Sequence, residues 1–155
     1  MRSGCNRRRV ASRGRLVIAA TPEHQPFVWP SRVYYEDTDT SGVVYHANYL
    51  KYFERARTEW LRSFGFDQET LKRDHQAVFA LTRIEVDFVR AARLDDLLEV
   101  SVVPTQIRRV YYMLEQEARL QGELIARASV RVACLDYPGF APRVVPDILQ
   151  RAIQA

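Results

Sequence analysis

The sequence predicts an α+β domain in which an antiparallel sheet wraps around one long helix, in the order β-α-β-β-β-β. Three observations carry this. Residues 49–64 repeat apolar side chains at roughly helical spacing (Leu50, Phe53, Trp60, Leu61, Phe64), with Lys51, Glu54, Arg55, Arg57, Glu59 and Arg62 mostly elsewhere around the wheel. Four later segments alternate apolar and polar residues with period two, the signature of strands with one buried face. No other stretch is long and apolar enough to cover such a sheet, so its apolar face has to close on residues 49–64.

The elements follow in chain order. Residues 34–65 hold a short strand, a polar turn built from Glu36, Asp37, Thr38, Asp39, Thr40, Ser41 and Gly42, and then the helix, which Gly65 is expected to close as a left-handed cap. Asp67 caps a short polar helix over residues 68–74. In the next segment Val78, Ala80, Thr82, Ile84, Val86 and Phe88 share one face and Arg83, Glu85 and Asp87 the other. Phe79, Leu81 and Val89 fall on the polar side and are expected subunit contacts. The last three strands are marked by Leu98, Val100 and Val102, by Val110, Tyr112 and Leu114, and by Leu124, Ala126, Ala128, Val130 and Val132. Pro104 is expected to break or bulge its ladder, and Gln121-Gly122 to turn a hairpin.

At 155 residues, 47% apolar and 27% charged, the chain suits one domain with a real core. Its formal charge is +4, but residues 1–26 carry six arginines against Glu23 alone, a local balance of +5 that leaves −1 for the rest. The basic character therefore belongs to a tail, and nucleic-acid binding loses its main support. The division expected is a basic, disordered extension over residues 1–30 and a folded domain over 31–150. Arg7-Arg8-Arg9 lacks the apolar run of an export signal, and no segment reaches the roughly 20 apolar residues that span a bilayer. Cys5 and Cys134 form no C-x-x-C, which fits a reducing compartment.

The chemistry concentrates between the polar turn and the helix. A helix start presents unpaired N–H groups suited to developing negative charge, and a nearby carboxylate is suited to attacking or activating water, so Asp39 and His46 together point to hydrolysis of an acyl compound. On residues alone, Asp39 reads first as a turn former and His46 as a structural histidine. Glu36 and Asp37 add negative charge that would raise the Asp39 pKa. Other chemistries find little footing. His24, His46 and His75 show no metal-ligand spacing, and Cys134 sits in a strand pattern. There is no G-x-S-x-G elbow, no P-loop and no G-x-G-x-x-G.

The run D-T-D-x-x-G-V-V-Y-H-A-N-Y at residues 37–49, followed by F-E-R-A-R-T-E at 53–59, resembles the 4-hydroxybenzoyl-CoA thioesterase family, especially its acyl-CoA thioesterases associated with the Tol-Pal system. A sparser match continues through Ala91-Ala92-Arg93-Leu94-Asp95-Asp96 and Pro142-Arg143-Val144-Val145-Pro146. The resemblance implies the hot-dog fold, a homodimer or homotetramer with its sites between subunits, and hydrolysis of acyl-CoA to free acid and CoA. Asp39 would be nucleophile or general base, and the backbone N–H near His46 would polarise the thioester carbonyl. Tyr45, Asn48 and Tyr49 would contact substrate. It implies no metal and no cofactor beyond the CoA of the substrate. Acyl carrier protein and Tol-Pal-related proteins are the implied partners, in the cytoplasm or peripheral to the inner membrane. Asp39 separates this reading from the alternative, a non-catalytic hot-dog protein that binds acyl ligands or serves as an interaction module. A hot-dog dehydratase would pair its His and acid differently.

Overall fold

The computed structural model describes residues 25–154, so most of the expected basic extension lies outside the described residues. Strand β1 (Phe27–Arg32) leads through a 3-10 turn (Tyr35–Asp37), a loop and a second 3-10 turn (His46–Asn48) into helix α1 (Tyr49–Ser63). A short helix α2 (Gln68–His75) follows, then β2 (Ala77–Phe88), β3 (Leu97–Ile107), β4 (Tyr111–Leu120), β5 (Glu123–Asp136) and a last helix α3 (Asp147–Gln154). All pairings are antiparallel, in the spatial order β1-β3-β4-β5-β2.

Helix α1 buries Tyr49, Tyr52, Phe53, Ala56, Trp60 and Leu61, a stripe recurring every three to four residues. Beneath it lie Leu98, Val100 and Val102 of β3, Leu114 and Ala118 of β4, and Ala126, Ala128 and Val130 of β5. Each large apolar side chain so buried contributes about 1.5–3 kcal/mol. Leu50, expected on this face, points outward instead, and Tyr52 and Ala56 take up the stripe. Past Phe64, Gly65 adopts φ +84°, its N–H reaching the Arg62 carbonyl and the Phe66 N–H that of Leu61, as in a Schellman cap. Asp67 caps α2 through the Thr70 N–H at 2.7 Å.

Three features differ from expectation. The opening strand lies upstream, at Phe27–Arg32, and takes residues 27–30 of the segment assigned to the extension into the sheet. Pro30 is accommodated because β1 is an edge strand. In β2 the register shifts between Leu81 and Arg83, leaving Thr82 as an extra residue. Beyond the bulge Ile84, Val86 and Phe88 face Val130, Ala128 and Ala126 as expected, but before it Ala77 and Phe79 are the inward residues. Phe79 is turned toward the core, not outward: partly buried, its ring meets Tyr112 at 5.6 Å. Finally, α3, which the expected element order lacks, buries Leu149 and Ile153, one turn apart. Pro104 does stand beside a register shift, and Gln121-Gly122 takes positive φ at both residues, as a type I′ turn requires.

Candidate active site

The loop between β1 and α1 is drawn against residues 92–96. The Val33 N–H donates to the Asp96 carbonyl, the Asp95 N–H to that of Val33, and the Val44 N–H to that of Ala92. Within the loop a bridge joins Thr38 to Val44, the Asp39 N–H donates to the Val43 carbonyl at 3.0 Å, and the Gly42 N–H to that of Asp39 at 3.0 Å. Gly42 has φ +75°, a conformation that a side chain would strain. This tight reversal puts Asp39 at an exposed tip.

Ser41 orients the carboxylate. Both its N–H, at 2.8 Å, and its hydroxyl donate to Asp39 Oδ1, an Asx-type turn over D-x-S spacing. The Ser41 hydroxyl first and its N–H second hold the Asp39 carboxyl below its ordinary pKa, and the nearby His46 adds to the effect. The expected rise from neighbouring carboxylates does not occur, because Asp37 turns inward and the hydrogen bonds to Oδ1 dominate. Ser41 is a residue whose part the sequence reading missed; its place two positions after Asp39 was the available signal.

His46 opens the 3-10 turn that runs straight into α1, so its N–H lies at the positive end of the helix. Among the described residues no acceptor takes that N–H. The imidazole is exposed, 4.4 Å from the Tyr45 ring and edge-on to Phe88 at 6.3 Å. Tyr45 is likewise exposed. Asn48 and Tyr49, the other expected substrate contacts, are buried: the Asn48 amide donates to the Asp37 carbonyl at 2.9 Å, and the Tyr49 hydroxyl accepts the Ala92 N–H at 3.3 Å. Burial pushes the Tyr49 phenol up.

The single chain does not enclose this constellation. Two cavities, of about 350 and 270 Å³, lie elsewhere, one along Glu85, Asp87, Glu115 and Arg127 on the sheet and one along Asp147 and Arg151 on α3. Apolar side chains at the site instead stand open, with Phe88 and Val89 each 52% exposed. Among the described residues no His, Cys, Asp and Glu side chains cluster in a way that would hold a metal ion, and no helix is long and apolar enough to cross a membrane. An ionised carboxylate, oriented through one oxygen beside an unengaged helix N-terminus, is equipped to attack a carbonyl carbon or to activate water.

A family model described as the thioesterase-like superfamily matches residues 33–153. The acyl-CoA thioesterase YbgC of Helicobacter pylori is 49% identical over 133 residues, covering 80% of this chain and 97% of that protein. The acyl-CoA thioesterase YbgC of Haemophilus influenzae is 42% identical over 126 residues, 81% of this chain and 93% of that one. Among solved structures, a probable thioesterase from Bartonella henselae matches with a TM-score of 0.75 at 33% identity, covering 78% of this chain and 99% of that chain. A 1,4-dihydroxy-2-naphthoyl-CoA thioesterase from Synechocystis matches at 0.77 with 27% identity, covering 83% of this chain and 96% of that chain. The family match spans the helix, strands β2 to β5 and the loop that carries Asp39. The chain belongs to the thioesterase-like superfamily and has its hot-dog fold.

Proposed function

We propose that this thioester hydrolase cleaves acyl-CoA to free acid and CoA, with Asp39 acting at the thioester carbonyl carbon and the His46 backbone N–H donating to the carbonyl oxygen. The observation that carries the reading is the double donation from Ser41, which keeps Asp39 ionised and turned beside the start of α1. Two routes serve the same geometry. In one, Asp39 attacks, CoA leaves as thiolate, and water opens the resulting mixed anhydride. In the other, Asp39 takes a proton from the water that attacks. Developing charge on the carbonyl oxygen meets the helix N-terminus in both.

The site is completed by a second copy in a homodimer or homotetramer, which would cover the exposed Phe88, Val89 and Tyr45. The relatives named as acyl-CoA thioesterases support the substrate class. A cytoplasmic setting belongs to the same reading, with acyl carrier protein and Tol-Pal-related proteins as candidate partners. The alternative, a hot-dog module that binds acyl ligands without turnover, gives no role to an oriented, ionised Asp39. Following CoA release from a panel of acyl-CoAs of graded chain length tests the proposal. Turnover that depends on chain length is expected, and binding of acyl-CoA without CoA release would favour the alternative.

A further inference from the structure

A second acid in the same turn does different work from Asp39. Asp37 is 1% exposed, the one acidic or basic residue buried among the described residues. Its Oδ2 accepts the Tyr34 N–H at 2.9 Å. Its backbone carbonyl accepts two donors from the far side of the loop, the Tyr45 N–H at 2.9 Å and the Asn48 amide at 2.9 Å. Tyr45 and Asn48 flank His46, and Asp39 lies two residues beyond Asp37. One buried residue thus joins the arm that carries the carboxylate to the turn that carries the N–H donor.

The second carboxylate oxygen, Oδ1, is buried and without a hydrogen-bond partner, and so is the hydroxyl of Tyr52, from the first turn of α1. The two groups are neighbours, although they do not close a hydrogen bond of normal geometry. Burial first and the Asp37 carboxylate second push the Tyr52 phenol well above its ordinary range, so the hydroxyl keeps its proton and is available as a donor. A buried carboxylate left with one N–H would be costly, and a hydroxyl held beside it offsets that cost.

We infer that Asp37 is a positioning residue for the reaction, which with Tyr52 and Asn48 locks the Asp39 turn against the N-terminal turn of α1. The inference rests on the proposed thioesterase reading. It assigns Asp37 no contact with substrate. Its consequence is geometric: loosening the clamp lets Asp39 and the His46 N–H drift relative to one another, and a displacement of about 1 Å at a reacting group can cost on the order of 100-fold in rate.

Asp37→Ala, Asp37→Asn, Tyr52→Phe and Asn48→Ala, assayed beside Asp39→Asn on the same acyl-CoA, test this. Rates are taken per folded protein, with folding followed by circular dichroism. Asp37→Ala is expected to lower kcat by on the order of 100-fold with KM little changed. Asp37→Asn, whose amide still accepts the Tyr34 N–H and can bond Tyr52, should recover much of that loss. The acid limb of the pH–rate profile should stay where it is in both, because it belongs to Asp39. A contribution to stability alone would lower the melting temperature and leave kcat per folded protein intact. Wild-type kcat in folded Asp37→Ala, with Asp39→Asn inactive, would overturn the positioning role only; wild-type rates in both would overturn the assignment of the chemistry to Asp39, on which the inference rests. Should Asp37→Ala not fold, Tyr52→Phe and Asn48→Ala decide, with a fall in kcat at unchanged KM expected in each and wild-type kcat in both overturning the inference.

Discussion

Ser41 donates twice to a single oxygen of Asp39, through its N–H at 2.8 Å and through its hydroxyl, and leaves the other oxygen without a bond among the described residues. The pair explains how an exposed turn carboxylate is held in one orientation. It also fixes a direction for its titration. Asp39 has a lowered pKa, so its ionised form, and the activity that needs it, is present above that pKa and lost as pH falls through it.

Removing the hydroxyl removes the largest cause of the depression. Ser41→Ala is therefore expected to move the acid limb of kcat/KM to higher pH, toward the ordinary carboxylate value, while activity at pH 7 falls only through looser orientation. The pH dependence of CoA release measures this. An acid limb unmoved by the substitution would separate the limb from Asp39.

Phe79 and Leu81 both precede the bulge on the same side of β2, yet they differ in burial. Phe79 packs on Tyr112 inside the core, whereas Leu81 is exposed at the sheet edge. Phe79→Ala should cost about 2 kcal/mol, read from the urea midpoint. Leu81→Ala should cost less than about 0.5 kcal/mol of protomer stability.

Gln116 is fully buried beneath α1, where its amide donates to the Phe53 carbonyl at 3.1 Å and its oxygen accepts from Arg57 at 2.9 Å. Burial lowers the Arg57 pKa, and Gln116 is the acceptor for its guanidinium in that part-buried position. Gln116→Leu strands Arg57 and should destabilise by about 1–3 kcal/mol. Gln116→Glu keeps an acceptor for Arg57 and should be the milder change in the same denaturation measurement.

Phe88 and Val89 are exposed in the single chain beside a site that the chain does not enclose. Light scattering is expected to give a dimer or tetramer. Val89→Asp, which places a charge in that contact, should shift the population toward monomer and lower activity in parallel. A monomeric wild type with full activity would mean that one chain is a complete enzyme.

Much of this architecture was legible in the residues. The helical repeat placed α1 to within one residue of its end, because large apolar side chains fall on one stripe and Gly65 follows. Asp67 and Gln121-Gly122 act through local bonds and backbone preferences, which a sequence displays directly. What stayed hidden depends on partners across the fold. Period-two counting assumes no extra residue, so the bulge at Thr82 silently reversed the faces of Phe79 and Val78. Pro30 argues against a strand until β1 is known to be an edge. At the site, D-T-D-T-S showed which side chains were near one another but not which turned in. Asp37 and Asp39 are chemically alike, and only the loop's fold on Tyr45, Asn48 and Tyr52 buries the first while Ser41 holds the second in solvent.

The central claim is that an ionised Asp39 does the chemistry, and Asp39→Asn tests it most directly by keeping the shape and removing the charge. Acyl-CoA hydrolysis by the purified, folded variant is expected to show kcat reduced by about two to four orders of magnitude, with a smaller change in KM. His46→Ala, which keeps the backbone N–H, should be milder in the same assay. Turnover by Asp39→Asn at the wild-type rate would contradict the account.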